Sequence, residues 1–149
     1  MKKDVIISIR GRQTPVDQDI SKLEFVTEGK YYKKGNAYYV MYKESEVTGM
    51  DGTTTTLKIE EDEITLMRFG SVNSQFIFRK GQKHVSYYDT EYGAFTVGVT
   101  AHHLNISVDD NGGEIEVDYE IEIDNNKTGY NDFCMFIREA GCSNDKYCG

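Results

Sequence analysis

Between Glu114 and Asp124 the chain alternates without a break: Ile115, Val117, Tyr119, Ile121 and Ile123 hold every second position, and Glu114, Glu116, Asp118, Glu120, Glu122 and Asp124 fill the others. Successive side chains of an extended strand point to opposite faces, whereas a helix would scatter these residues around its circumference. The segment therefore predicts a strand with an apolar face toward a core and an acidic face toward water. Such a strand cannot stand alone, because its backbone N–H and C=O groups need partners along its edges.

The same period recurs over 5–10, 22–32, 37–44, 53–60, 63–69, 75–79, 85–88, 94–102, 104–108 and 133–138. Turn-forming residues separate these runs: Gly35-Asn36, Asp51-Gly52, Gly70-Ser71, Lys80-Gly81, Asn111-Gly112-Gly113 and Lys127-Thr128-Gly129. No window carries a helical apolar period, although the segment 15–21 has room for a short helical turn. The run Thr53 to Thr56 reads as a strand of β-branched residues. Consecutive short strands predict an antiparallel meander, and its edges must be hidden, which favours closure into a barrel of about eight to ten strands. With 149 residues the chain suffices for one core. We assign 1–140 to a single barrel domain and 141–149 to a polar, Cys-containing tail.

A net charge of −8 disfavours nucleic acid as a partner, since that binding depends on Lys and Arg neutralising phosphates. Lys2, Lys3, Arg10 and Arg12 read as a solvated strand end. The apolar run Val5-Ile6-Ile7 is cut off by Ser8 and Arg10, too short for a secretory leader. No stretch approaches the roughly 20 apolar residues of a membrane helix. The expected setting is cytoplasmic, with no membrane partner, and Cys134, Cys142 and Cys148 are then free thiols.

Motifs for catalysis and metal binding are missing. Counting from Asp109, an EF-hand loop would have Glu120 at its last ligand position, but Glu114 stands where the glycine belongs; counting from Asp124, Gly129 fits but Met135 ends the loop. His102 and His103 are adjacent on one strand, so at most one can enter a barrel, and no zinc set forms with His84. There is no nucleophile elbow and no phosphate loop. Neither metal nor cofactor is expected.

What remains is polar residues placed among apolar rows. Arg68 shares a face with Ile64 and Leu66, so its charge either enters the interior or marks the strand's end; buried, it requires a partner, for which Glu44 is the candidate. Tyr42 lies beside Glu44, and His84 and Tyr92 form a third region. Tyr42, Glu44, Arg68, His84 and Tyr92 are the candidate ligand contacts, and Glu44, Arg68 and His84 are expected to gather at the interior or mouth of the barrel. An internal ion pair that orders the barrel requires the same convergence of Glu44 and Arg68. If the cation is the buried member of that pair, replacing Arg68 by Met is milder than replacing Glu44 by Ala.

These residues also carry a family resemblance. Tyr42-Lys43-Glu44, Thr54-Thr55-Thr56-Leu57-Lys58-Ile59, Ile64-Thr65-Leu66-Met67-Arg68, Lys83-His84-Val85-Ser86, the turn with Tyr88, Thr90, Tyr92 and Gly93, and Tyr119-Glu120-Ile121 resemble, in order and spacing, the YwiB-like bacterial proteins of unknown function. The likeness runs from Val5 to Ile137, leaves out Gly141 to Gly149, and departs at Glu91, where the family favours proline. It implies a calycin-like, or lipocalin-like, barrel in a bacterial cytoplasm, and transfers no catalytic residue.

Three functions follow in order of preference. A barrel of about eight strands can hold one small molecule, so ligand binding in or at the mouth comes first. A protein-interaction module is second, from the aromatic pairs Tyr31-Tyr32 and Tyr38-Tyr39. An enzyme is third and rests on His84 as acid or base, with an unperturbed pKa of about 6.5.

Overall fold

The computed structural model describes residues 2–15, 21–45, 51–70, 73–90, 93–124 and 126–140. Among these residues ten strands follow one another: β1 Lys3–Pro15, β2 Ser21–Lys34, β3 Ala37–Lys43, β4 Thr53–Ile59, β5 Glu63–Gly70, β6 Ser74–Arg79, β7 Lys83–Thr90, β8 Gly93–Asp109, β9 Gly112–Ile123 and β10 Asn126–Glu139. They pair antiparallel in the order β6-β5-β4-β3-β2-β1-β10-β9-β8-β7. Each hairpin is sequential, and the first strand pairs with the last, with Ile7 opposite Ile137.

The two outer strands meet across the turn that joins them. Arg79 bridges Gln82, Lys80 bridges Ala101, and the Gly81 N–H donates to the Ala101 carbonyl at 2.9 Å. Beyond these bridges β6 and β7 share no ladder among the described residues, so the barrel is nearly closed rather than sealed.

Alternation accounts for the core. Val5, Ile7 and Ile9 of β1 face Leu57, Ile59, Ile64 and Leu66 across the interior, with Phe78 near the centre, its ring 4.8 Å from that of Tyr119. Gly29 on β2 has no room for more than hydrogen: a Cβ there would stand 2.4 Å from the Met41 carbonyl oxygen and 2.6 Å from Ile7 Cδ1. On β9, Ile115 and Val117 are buried as the alternation requires. Glu120 is the exception on the outer face, covered where it pairs with His102 at 3.2 Å and Lys127 at 3.1 Å.

Two readings from the sequence need correction. The segments 94–102 and 104–108 form one strand, β8, with a bulge between Ala101 and His103 that moves the inward positions from odd to even. Both histidines consequently lie exposed. Lys127 to Gly129 is likewise not a turn but a register shift inside β10; the chain turns at Asp124, whose φ is +50°. The helical turn expected over 15–21 falls on residues 16–20, outside the described residues, while Pro15 and Ser21 are strand ends.

A sequential antiparallel barrel gathers its turns at two ends. The ends of β1, β3, β5, β7 and β9 and the starts of the strands that follow them lie at one end, which we call the mouth. At the opposite end the Tyr31 and Tyr38 rings stack at 5.4 Å. The Tyr31 hydroxyl donates to the Asp109 carbonyl at 2.7 Å and that of Tyr38 to Asp110 Oδ1 at 2.6 Å. This tie to the β8–β9 turn plugs the base.

Candidate functional site

Register builds a polar row across an otherwise apolar interior. Tyr42 pairs with Thr55, Thr55 with Arg68, and Arg68 with Ser74, so their side chains share one face of β3 to β6. One pair deeper, Leu57 and Leu66 resume the core. Glu44 continues the inward positions of β3 just past its end, its N–H donating to the Thr53 carbonyl at 2.8 Å.

The carboxylate is the more deeply buried member of the central ion pair. The Glu44 side chain is 1% exposed and that of Arg68 20%, with Arg68 Nε 4.0 Å from Glu44 Oε2. That separation is an ion pair but too long for a hydrogen bond. The Thr55 hydroxyl donates to Glu44 Oε2. Glu44 Oε1, Arg68 Nε and Ser74 Oγ are buried without a hydrogen-bond partner among the described residues. Orphaned buried polar atoms are costly, and two of these carry charge.

The row opens into a cavity of about 410 Å³ at the mouth. Its polar wall is Tyr42, Glu44, Arg68 and Tyr119; its apolar wall includes Ile9, Leu57, Leu66, Phe133 and Met135. At the rim stand Lys22 and the Arg12–Asp132 pair, with Nη2 2.9 Å from Oδ2. Gly11 also lines the cavity, and a Cβ there would meet only the Asp132 carbonyl oxygen, at 3.6 Å. Burial pushes the Tyr42 phenol above its ordinary pKa, the Glu44 charge adding to the rise and Arg68 opposing it. Burial likewise raises Tyr119, again against Arg68. Both hydroxyls stay protonated at neutral pH and can donate.

Of the five residues proposed from the sequence, the structure brings Tyr42, Glu44 and Arg68 together. Tyr92 lies outside the described residues. His84 is not part of the cluster. His84 does not line the cavity; it is the second residue of β7, opposite Val99, which in turn lies opposite Ile121 near the end of β9. Its ring faces inward beside Val99, with Nδ1 buried and unpartnered. The sequence reading missed Thr55 and the cavity-facing role of Tyr119. Counting register back from the turn between β4 and β5 would have placed Thr55 opposite Arg68.

A second depression, on the outer wall, is lined by residues that include Arg10, Glu114, Glu116 and Cys134. Ligand atoms of Glu114, Glu116 and Cys134 lie within 4.8 Å of one another. Burial, aided by the hydrogen bond to Glu114, pushes the Cys134 thiol up to about 11, so at neutral pH it is protonated and a poor metal ligand.

Comparison with known proteins agrees with this architecture. The chain is 26% identical over 124 residues to the uncharacterized beta-barrel protein YwiB of Bacillus subtilis (strain 168), covering 83% of this chain and 86% of that protein. Against the crystal structure of the ywiB protein from Bacillus subtilis the TM-score is 0.77, at 18% identity and with 93% of each chain covered. That structural likeness speaks to the fold alone. Residues 7–135 match the family described as Domain of unknown function (DUF1934), and the chain belongs to that family.

Proposed function

We propose that this protein binds a small organic molecule in the cavity at the mouth of its barrel, as a non-enzymatic binding module. The observation that carries the reading is Glu44, a carboxylate almost wholly removed from water that lines the cavity with one oxygen unpartnered. A cavity of this volume lies within the usual range for ligand pockets, with an apolar wall and a few polar groups. The proposal includes a calycin-like cup working in the cytoplasm.

The competing readings have less support. An enzyme built on His84 has its acid or base outside the residues that line the cavity. For an interaction module, Tyr31 and Tyr38 are committed to the β8–β9 turn, and Tyr32 stacks on Tyr39 at 5.1 Å. Exposed Val85 and Tyr87 on β7 are what favour a protein partner.

Native mass spectrometry of gently purified protein, followed by a metabolite thermal-shift screen, tests the binding reading. Gly11→Leu is the control, because it projects a side chain into the cavity from a position with room for Cβ. Ligands that stabilise the natural protein should lose their effect on G11L. An undiminished shift would place binding elsewhere.

A further inference from the structure

We infer that the ligand of this cavity is an organic carboxylate, its two oxygens held end-on by the terminal nitrogens of Arg68, Nη1 and Nη2, and its apolar body lying against Leu57, Leu66, Phe133 and Met135. This deepens the binding reading above and rests on it. Lys22, at the rim, adds a second cation to the approach.

Arg68 donates no hydrogen bond among the described residues, but its three nitrogens are not alike. Nε is walled off and turned toward Glu44 Oε2 at 4.0 Å, whereas Nη1 and Nη2 are not among the buried orphans and so keep open surface. That surface belongs to the cavity. Arg68 is part of the cavity wall, and its charge bears on the hydroxyls of Tyr42 and Tyr119, which line the same wall. The guanidinium therefore stands between a buried carboxylate at one edge and the cavity at the other. Its paired terminal N–H groups form a fork whose spacing matches the two oxygens of a carboxylate.

Charge decides the sign of the guest. The chain carries −8 overall, yet Arg12, Lys22 and Arg68 line this cavity against only Glu44 and Asp132. Both of those carboxylates are already committed, Glu44 to Arg68 and Asp132 to Arg12. Lys22 is exposed and enters no ion pair among the described residues, so the lining keeps an excess of positive charge. A carboxylate on the fork stands nearer the guanidinium than Glu44, which approaches from the Nε edge, so attraction outweighs the repulsion between the two carboxylates. A cation would face Arg68 and Lys22 with no open carboxylate to offset them. A neutral amide can offer the fork only its single carbonyl oxygen.

Four compounds of similar shape test this: phenylacetate, phenylacetamide, phenethylamine and ethylbenzene. Each is titrated into the full chain at millimolar concentration, following the amide resonances of Leu57, Leu66 and Arg68. Phenylacetate should bind about tenfold or more tightly than phenylacetamide, the difference between a charge-assisted pair of hydrogen bonds and a neutral contact. Arg68→Lys keeps a cation beside Glu44 but loses the fork, so the preference for phenylacetate over phenylacetamide should fall severalfold. Lys22→Gln, at an exposed position, should weaken phenylacetate by about two- to threefold and leave phenylacetamide unchanged. The inference is overturned if phenylacetamide, phenethylamine or ethylbenzene binds as tightly as phenylacetate, since the cavity then binds without selecting a carboxylate. It is also overturned if R68K folds and keeps the full preference; should R68K fail to fold, an unchanged phenylacetate affinity in K22Q overturns it. If none of the four moves the cavity resonances, the binding reading fails as well.

Discussion

Replacing Arg68 by Met should destabilise the barrel far more than replacing Glu44 by Gln, the reverse of the order expected if the cation were the buried member. The Arg68→Met substitution leaves a carboxylate with 1% of its side chain exposed and removes the cation beside it. The Glu44→Gln change leaves a guanidinium with 20% exposure at the edge of an open cavity, where water can reach it. Unit charges at the observed 4.0 Å attract by about 4 kcal/mol at an effective dielectric of about 20 and by about 1 kcal/mol in bulk water. Allowing for partial solvation, R68M should cost about 2–4 kcal/mol, at or somewhat below the roughly 3–5 kcal/mol for breaking a fully buried pair from one side. E44Q should cost below about 1 kcal/mol, because an amide retains the hydrogen bond from Thr55. For a chain of this size these correspond to a Tm lower by roughly 4–16 °C against less than about 4 °C. Urea unfolding monitored by tyrosine fluorescence gives both values, and the double variant should recover part of the R68M loss. If E44Q proves as damaging as R68M, or both are silent, the burial asymmetry does not govern this pair.

Other positions give independent tests. Gly29→Ala places a Cβ against the immovable Met41 carbonyl and should cost about 1–3 kcal/mol by overpacking, while Gly11→Ala, with its nearest contact at 3.6 Å, should be near neutral; thermal melts compare them. Hydrogen bonding from Lys127, reinforced by His102 and opposed by burial, lowers the Glu120 pKa below its ordinary value of 4.5. A carboxylate with a depressed folded pKa stabilises fully above its unfolded pKa and loses that contribution as pH falls through the folded one. Melts from pH 7 to pH 3 should therefore converge for natural protein and Glu120→Gln at the acid end, and a constant gap would contradict the assignment. Cys134, its thiol raised to about 11 by burial and by Glu114, should alkylate slowly at pH 7.5 in the folded protein and much faster in urea, as read by peptide mapping.

Much of the architecture was legible because period-two alternation is a local property. Ile115 and Val117 could be turned inward from the sequence alone, and Glu44 and Arg68 could be paired because each interrupts an apolar row. What local patterning does not carry is position along the barrel axis. His84 and Arg68 both follow an inward alternation, yet Arg68 lines the cavity and His84 does not, and the ladders that decide which inward positions meet, Thr55 with Arg68 and Val99 with His84, are not local properties. The bulge at Ala101 was hidden for a related reason: a single extra residue leaves the alternation intact on either side and reads as a break between two strands. Thr55 was overlooked because a run of four threonines gives no hint of which one faces a carboxylate until the register is known.

The ladder between the first and last strands sets the timing of assembly on the ribosome. β1 acquires β2 at once, but its other edge, from Val5 to Pro15, has no neighbour until Asn126–Glu139 has been made. At typical elongation speeds that interval is on the order of ten seconds. Throughout it the nascent chain exposes an unpaired edge at the strand destined for the middle of the finished sheet, the kind of surface that templates aggregation. Prematurely terminated chains would be held permanently in that state.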